Sequence, residues 1–293
     1  MSKNVSGSKS FEWFTFLRLS KVLPTLLLCL LGFIFLIPVL WMLSLSLQTF
    51  QETIQNPLTL LPHSPQWGNY LQAFRDIPLL LYMGNTLTIT VAVVVGSTFS
   101  AAFCAYAFAR LHFRGRSLLF GMVLATLMLP PAVTLIPLYI LFRDLHWINT
   151  FLPLTVPAFF GGGAFNIFLL RQFILTIPRE LDEAALIDGA SYWQIFLYLI
   201  LPLSKPAMTV AAVMTTVATW NDFLGPLIYL NTPNHFTMAL GLVSYSGNAG
   251  LYTNPQPQLL MAATVMMIAP IILLFIFAQR YIIQGIVTTG IKG

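Results

Sequence analysis

The chain alternates between long apolar stretches and shorter polar segments. Six apolar stretches lie at about 23–47, 85–109, 117–142, 151–173, 206–230 and 259–278. A helix needs about 20 apolar residues to cross the hydrocarbon core of a bilayer. The first stretch is longer than the apolar core of a signal peptide, which has about 7–15 residues, so we expect it to be retained. The pattern predicts an all-α integral membrane protein with six transmembrane helices, in a single transmembrane domain over residues 1–293.

The composition supports a membrane protein and excludes most soluble classes. Hydrophobic residues make up 57% of the chain and charged residues 8%, whereas a soluble domain carries about 25% charged residues. The two cysteines, Cys29 and Cys104, lie inside apolar stretches and have no metal-ligand spacing. We therefore expect neither a disulfide scaffold nor a metal site in this chain.

The basic residues are distributed unevenly among the polar segments. Apart from Arg75 and Arg143, every Lys and Arg lies before residue 22, at 110–116, at 171–205 or after residue 279. Because basic residues favour the cytoplasmic side of a membrane, both termini are predicted to be cytoplasmic. The longest cytoplasmic loop is then 174–205. The same bias accounts for the net charge of +5 without a nucleic-acid partner.

Several predicted spans contain helix breakers or polar side chains. The breakers are Pro130, Pro131 and Pro137 in the third span, Gly161, Gly162 and Gly163 in the fourth, and Pro270 in the sixth. Broken backbone at membrane depth either lines a cavity or is buried in protein, so these breaks indicate a polar pathway or local kinks. The candidates for lining such a pathway are Asn166, Trp220, Asn221 and Asp222. Asp222, the only acid in the predicted spans, is either a functional acid or a structural one near the outer water layer.

Small residues recur at a spacing of four in the second predicted span. They are Ala92, Gly96, Ser100 and Cys104. This spacing lets another segment approach the helix closely, which suits tight packing or a sliding interface.

The predicted cytoplasmic loop carries signals for two short helices. Pro178 suits the first position of a helix, and Glu180 and Asp182 place negative charge in its first turn. Gly189 can supply a left-handed cap. A second helix begins at Ser191, which forms a capping-box pattern with Gln194 three residues later, and ends near Pro202.

The same loop resembles the signature loop of permease subunits in binding-protein-dependent ABC importers. The resemblance rests on Glu183-Ala184-Ala185, then Gly189, then Leu199, then Leu201-Pro202, with Leu199 standing where Ile is usual. Trp220-Asn221-Asp222 and the tail at 279–293 are similar to the second membrane subunit of maltose-type carbohydrate importers. The resemblance implies the type I importer permease fold, with six helices per subunit.

The resemblance also implies roles for particular residues. The residues expected to couple the loop to an ATPase subunit are Glu183, Ala184, Ala185, Asp188, Gly189, Leu201 and Pro202. In the tail, Gln284, Gly285 and Lys292 are expected to contact the ATPase dimer.

Function and partners follow from this resemblance. The chain has no G-x-x-x-x-G-K-[ST] phosphate loop and no HExxH or GxSxG motif, so we expect a non-catalytic subunit with ATP and Mg held by a partner. The implied partners are a second homologous permease, an ATPase dimer, an extracytoplasmic solute-binding protein and membrane lipid. The implied substrate is a di- or oligosaccharide, and the implied location is a bacterial or archaeal plasma membrane. The alternatives are a permease for glycerol 3-phosphate or a polyamine, and an ion-coupled secondary transporter.

Overall fold

The computed structural model describes residues 8–55, 59, 61–248 and 256–290, with side chains for residues 24–55, 59, 61–130, 132–246 and 256–279. Regular structure in these residues is helical throughout, which confirms the all-α class. The helices are α1 Ser8–Ser46, α2 Phe50–Gln55, α3 Gly68–Asp76, α4 Leu79–Arg110, α5 Arg116–Thr126, α6 Pro131–Asp144, α7 Leu152–Thr155, α8 Ala164–Thr176, α9 Glu180–Ile187, α10 Tyr192–Leu203, α11 Lys205–Trp220, α12 Leu224–Tyr229, α13 Met238–Val243 and α14 Pro257–Gly290.

The chain divides into two compact units. The first comprises Met1–Gln72 with Gln256–Val265, and the second comprises Ala73–Pro255 with Met266–Gly293. All the predicted coupling and pathway residues belong to the second unit.

In the first unit, polar side chains organise the segment that follows α1. The Asn69 side-chain amide donates hydrogen bonds to the backbone carbonyls of Ser46 and Gln48, both at 2.9 Å. The Thr49 N–H donates to Glu52 at the start of α2, and this bond holds the pKa of the Glu52 carboxyl below its usual range. The Ser46 carbonyl lies in the last turn of α1, so Asn69 satisfies one of the groups that the end of this helix leaves without a helical partner.

The second unit is built around α4. Its small side chains Ala101, Ala105 and Ala109 are fully buried, in the same core as Leu170 and Ile174 of α8. Two of the small residues predicted from the sequence, Gly96 and Ser100, contact the segment between α7 and α8. A Cβ at Gly96 would overlap the ring of Phe159, and Ser100 Oγ donates to the Ala158 carbonyl at 2.9 Å. The close approach predicted from the spacing is confirmed.

Within the described residues, four helices are long and apolar enough to cross a membrane, or five if one bent pair is counted as a span. By length and composition the four are Pro24–Ser46, Leu79–Arg110, Leu152–Thr176 and Pro257–Gln279. The bent pair is α10 and α11, which meet at 74°. The predicted third span, 117–142, forms two separate helices, α5 and α6, so the six-helix count is not confirmed.

The structure shows two of the breaks that the sequence predicts. The chain breaks before Pro131, because the ring of a proline disfavours helical backbone at the residue before it, here Pro130 with ψ 133°. It also breaks at Gly161, Gly162 and Gly163, which all have positive φ.

Three other expectations about the spans were wrong. Pro137 lies inside the continuous helix α6 and Pro270 inside α14, so neither ends a helix. The predicted fifth span, 206–230, ends at Trp220 and resumes as α12 at Leu224. A proline ring clashes with the carbonyl four residues earlier in a helix, so Pro226 opposes helical continuation through Asp222.

Candidate functional site

The segment 177–203, called the 177–203 loop below, folds into the two predicted helices. α9 begins at Glu180, two residues after Pro178, and ends at a left-handed Gly189 with φ +82°. The Ala190 N–H bonds to the Ala185 carbonyl at 2.9 Å and the Gly189 N–H to the Leu186 carbonyl at 3.1 Å. This pair of bonds is the Schellman arrangement, in which glycine is favoured because it has no Cβ.

The second loop helix, α10, begins with the predicted capping box. Ser191 Oγ accepts from the Gln194 N–H, and the Gln194 side chain accepts from the Ser191 N–H at 2.8 Å. The middle of the helix, Ile195–Ile200, is π-helical, which the sequence analysis did not predict. The helix ends at Leu203, one residue beyond the predicted Pro202.

The signature residues are mostly exposed on this loop. Glu183, Ala184, Asp188 and Gly189 are exposed, whereas Ala185 and Leu201 are half-buried against the core of the second unit. Pro202 is exposed at the end of α10. Beside Asp188, the apolar side chain of Ile187 is 87% exposed. The loop therefore presents small, acidic and apolar groups together on its surface.

The Arg110 end of α4 holds the loop in place. Arg110 Nη2 donates to the Ile177 carbonyl at 2.7 Å, and Arg110 Nε lies 3.0 Å from Asp182 Oδ2 in an ion pair. The two side chains are only 4% and 16% exposed. Burial raises the pKa of the Asp182 carboxyl, and the guanidinium groups of Arg110 and Arg179 oppose that rise.

Aromatic residues of α4 hold the second loop helix. The Tyr106 hydroxyl donates to the Tyr192 carbonyl at 3.1 Å. The ring of Phe103 meets the ring of Trp193 edge to face, with centroids 5.8 Å apart. Sequence reasoning missed these contacts and treated Arg110 only as a topology signal, because the partners lie far apart in the chain.

Two of the four predicted pathway residues are buried and bonded within the fold. Asn166 Nδ2 donates to the Gly162 carbonyl at 3.0 Å and to Thr215 Oγ1 at 3.1 Å. The Trp220 indole N–H donates to the Met267 carbonyl at 3.0 Å. Both side chains therefore connect interrupted segments to neighbouring helices, and buried donors of this kind need such partners.

The other two pathway candidates are more accessible. Asn221 is exposed, and its amide donates to the Val217 carbonyl one turn earlier. Asp222 accepts from the Gly225 N–H at 3.2 Å and lines a cavity of about 80 Å³ with Thr86, Thr219 and Thr237. The structure thus brings Asp222 together with hydroxyl groups from α4, α11 and the segment before α13.

The predicted tail contacts lie at the edge of the described chain. Gln284 and Gly285 belong to the backbone of α14, but the Gln284 side chain and the whole of Lys292 lie outside the described part of the chain. Among the described residues, no cluster of His, Cys, Asp and Glu could hold a metal ion.

Comparisons with known proteins extend over most of the chain. The family model described as "binding-protein-dependent transport system inner membrane component" matches residues 97–288. The arabinooligosaccharides transport system permease protein AraQ of Halalkalibacterium halodurans is 34% identical over 282 residues, which cover 94% of this chain and 99% of that protein. The maltose/maltodextrin transport system permease protein MalG of Photorhabdus laumondii is 33% identical over 224 residues, covering 74% of this chain and 73% of that protein.

A solved structure shares the fold. It is described as a bacterial ABC transporter involved in the import of the acidic polysaccharide alginate, and its chain is 24% identical with a TM-score of 0.78. The match covers 96% of this chain and 99% of that one. The resemblance found in the sequence is confirmed, and so is the expectation of a non-catalytic permease subunit. The chain belongs to the family of inner membrane components of binding-protein-dependent transport systems.

Proposed function

We propose that the chain is one of two related membrane subunits of an ATP-driven importer, with the 177–203 loop as its docking element for an ATPase subunit. The observation that carries this proposal is the exposure of the signature residues on a loop that α4 fixes in place. Small side chains such as Ala184 permit close backbone approach, and the Glu183 carboxylate suits a basic partner. Docking would bury the exposed Ile187 side chain away from water, which is favourable for an apolar group.

The remaining coupling residues either pack against the core or lie at the ends of the loop helices. Ala185 and Leu201 pack against the core, Gly189 ends α9, and Asp188 and Pro202 lie at the exposed helix ends. The tail residues Gln284, Gly285 and Lys292 form a second contact with the ATPase. ATP and Mg bind to that partner, which supplies the energy for transport.

In the proposed topology the chain crosses a bacterial or archaeal plasma membrane six times. Four spans are the long apolar helices, the fifth is α11 with α12, and the sixth is the interrupted pair α5 and α6, broken at 127–130. Both termini and the 177–203 loop are cytoplasmic, because every Lys and Arg except Arg75 and Arg143 lies before residue 22, at 110–116, at 171–205 or after residue 279.

The proposed substrate is a di- or oligosaccharide delivered by a solute-binding protein. The named relatives, an arabinooligosaccharides permease and a maltose/maltodextrin permease, support a carbohydrate. Within this chain, Asn221 and Asp222 are the accessible groups that could meet it, whereas Asn166 and Trp220 shape the surrounding helices. An amide can donate hydrogen bonds to sugar hydroxyls and accept them, and a carboxylate can accept them.

Co-purification tests the proposal. We would isolate the tagged chain in mild detergent from its native membrane and identify the accompanying proteins by mass spectrometry. We expect a phosphate-loop ATPase, a second permease and a solute-binding protein. Ala184→Arg should reduce recovery of the ATPase, whereas Asn231→Arg, at an exposed position outside the loop, should not.

The binding protein recovered in this way identifies the substrate. It would be screened against oligosaccharides, glycerol 3-phosphate and polyamines by competition. Binding of an oligosaccharide supports the proposal. Exclusive binding of another solute would show that this solute, and not a carbohydrate, is the substrate. Recovery of the chain alone, from membranes that contain all candidate partners, would contradict an importer complex.

A further inference from the structure

Helix α4 is bonded to different segments at its two ends. It runs over 32 residues, which is about 48 Å at the helical rise. Its Arg110 end holds the 177–203 loop, and its Leu79 end holds residues 234–241, called the 234–241 segment below. Both joints lie in the second unit of the chain.

The joint at the Arg110 end uses a buried charge. Arg110 reaches both sides of the turn that begins α9, through the Ile177 carbonyl and the Asp182 carboxylate. A buried guanidinium that loses its partners carries a large desolvation cost, so displacement of α9 away from Arg110 is disfavoured. The loop and the end of α4 therefore move together.

The joint at the Leu79 end uses three hydrogen bonds, of which one is buried, and close packing. Asn85 Nδ2 donates to the carbonyls of Asn234 and Phe236 at 2.8 and 3.0 Å, and the Met238 N–H donates to Thr86 Oγ1 at 2.8 Å. A Cβ at Gly241 would overlap the ring of Tyr82. The 234–241 segment thus cannot slide along α4 without breaking several contacts.

The second joint borders the cavity that contains Asp222. Thr86 and Thr237, which belong to the two sides of this joint, both line that cavity. A shift or tilt of α4 consequently changes the surroundings of Asp222 as well as the position of the 234–241 segment.

We propose that α4 transmits displacement of the 177–203 loop to the 234–241 segment, and that Arg110 is the positioning residue that fixes the loop to α4. The inference rests on the proposed function, because the displacement comes from the ATPase. Packed helices shift as rigid bodies between discrete arrangements, so a long helix bonded at both ends carries motion over its full length.

The first arm of the test measures the Arg110 joint without any partner. In the purified chain, Arg110→Gln and Asp182→Ala should raise amide hydrogen exchange over residues 180–190, and Asp182→Glu should restore protection. The matched control is Arg143→Gln, which breaks the ion pair between Arg143 and Asp144. This pair is exposed, with 59% and 62% of the two side chains accessible, and it lies outside the loop. Unchanged exchange in Arg110→Gln would overturn the joint itself.

The second arm measures transmission in the purified importer with its co-purifying subunits. We expect Arg110→Gln to lower the number of substrate molecules transported per ATP hydrolysed by about fivefold, at the low end of couplings between distant sites. Thr86→Val should lower the same ratio while leaving exchange over 180–190 unchanged. Its control, Thr88→Val, removes a hydroxyl that donates only to the Gly84 carbonyl of its own helix.

The outcomes separate this inference from the function on which it rests. The inference is overturned if an ATPase co-purifies and both Arg110→Gln and Thr86→Val transport as many substrate molecules per ATP as the wild type. In that case α4 does not transmit displacement of the loop. If no ATPase co-purifies, the proposed function fails and the inference fails with it. Tyr106→Phe, which removes one hydroxyl from the same joint, supplies a milder variant if Arg110→Gln does not fold, and it should show a smaller change in the same direction.

Discussion

The 177–203 loop and the interrupted spans around Asn166 and Trp220 use polar residues in opposite ways. In the loop, Glu183 and Asp188 are exposed, while a buried residue outside the motif, Arg110, fixes the loop in position. In the spans, Asn166 and Trp220 are buried and donate to neighbouring segments. A polar residue at membrane depth can therefore be a structural connector, whereas an exposed motif on an anchored loop points to a partner.

The largest effect expected in the spans is at the glycine break. Gly162→Ala adds a Cβ that overlaps the Ser97 backbone at a position with φ +66°, so the backbone must move. Overpacking and left-handed strain together cost about 2–5 kcal/mol of unfolding free energy. We expect a marked fall in the yield and in the thermal unfolding midpoint of the protein purified in detergent.

A neighbouring glycine provides the control for this prediction. Gly163 also has positive φ, at +86°, but a Cβ there meets nothing within 4 Å. Gly163→Ala should therefore cost only the backbone strain, about 1–3 kcal/mol for a glycine-favoured conformation with φ +86° and ψ 141°. Equal losses in the two variants would show that close packing on Ser97 does not stabilise the break.

The next largest effect is expected at Asn166, and it tests whether this residue stabilises the fold or contacts substrate. Asn166→Ala removes two hydrogen bonds and leaves the Gly162 carbonyl without this donor, which costs about 1–3 kcal/mol of stability. We expect a lower unfolding midpoint and an unchanged substrate concentration for half-maximal transport. An unchanged midpoint with a raised half-maximal concentration would instead place Asn166 in contact with substrate.

In the loop, a substitution at Gly189 tests whether the left-handed turn at the end of α9 is needed for coupling. Gly189→Val forces a branched residue into left-handed backbone in otherwise open space, at a cost of about 1–2 kcal/mol. Since this strain distorts the end of α9, we expect ATP hydrolysis by the complex to continue while transport falls. Gly189→Asn is the control, because asparagine tolerates this conformation, and it should transport normally. Normal transport by Gly189→Val would contradict a role for this turn in coupling.

The smallest effect on stability is expected at Asn221. Its side chain is exposed and bonds only within its own helix end, so Asn221→Ala should change stability by less than about 0.5 kcal/mol. If Asn221 contacts substrate, transport should weaken although the unfolding midpoint stays constant. Wild-type transport by this variant would remove Asn221 from the proposed pathway.

The sequence predicted the loop better than the spans, for a physical reason. Caps and left-handed turns depend on residues a few positions apart, so Ser191, Gln194 and Gly189 locate the loop helices correctly. Proline is less decisive in a membrane, because neighbouring groups can satisfy the freed carbonyls. Pro137 and Pro270 accordingly lie inside continuous helices, contrary to expectation.

The contacts that the sequence could not reveal join distant positions. Arg110 and Ile177 lie 67 positions apart, and Asn166 and Thr215 lie 49 positions apart. Neither pair has a periodic or local signature, since each depends on how α4, α8 and α11 pack. The motif therefore located the loop, and only the fold identified the residues that hold the loop in position.

Site-directed cross-linking tests the central claim most directly. In a chain with Cys29 and Cys104 replaced by serine, Ile187→Cys would carry a thiol-reactive cross-linker in native membranes, with Thr232→Cys as the exposed control on a different segment. The account predicts that Ile187→Cys becomes linked to an ATP-binding protein and that Thr232→Cys does not. Absence of that product from Ile187→Cys, while the complex still co-purifies, or equal linkage from both positions, would contradict docking through the 177–203 loop.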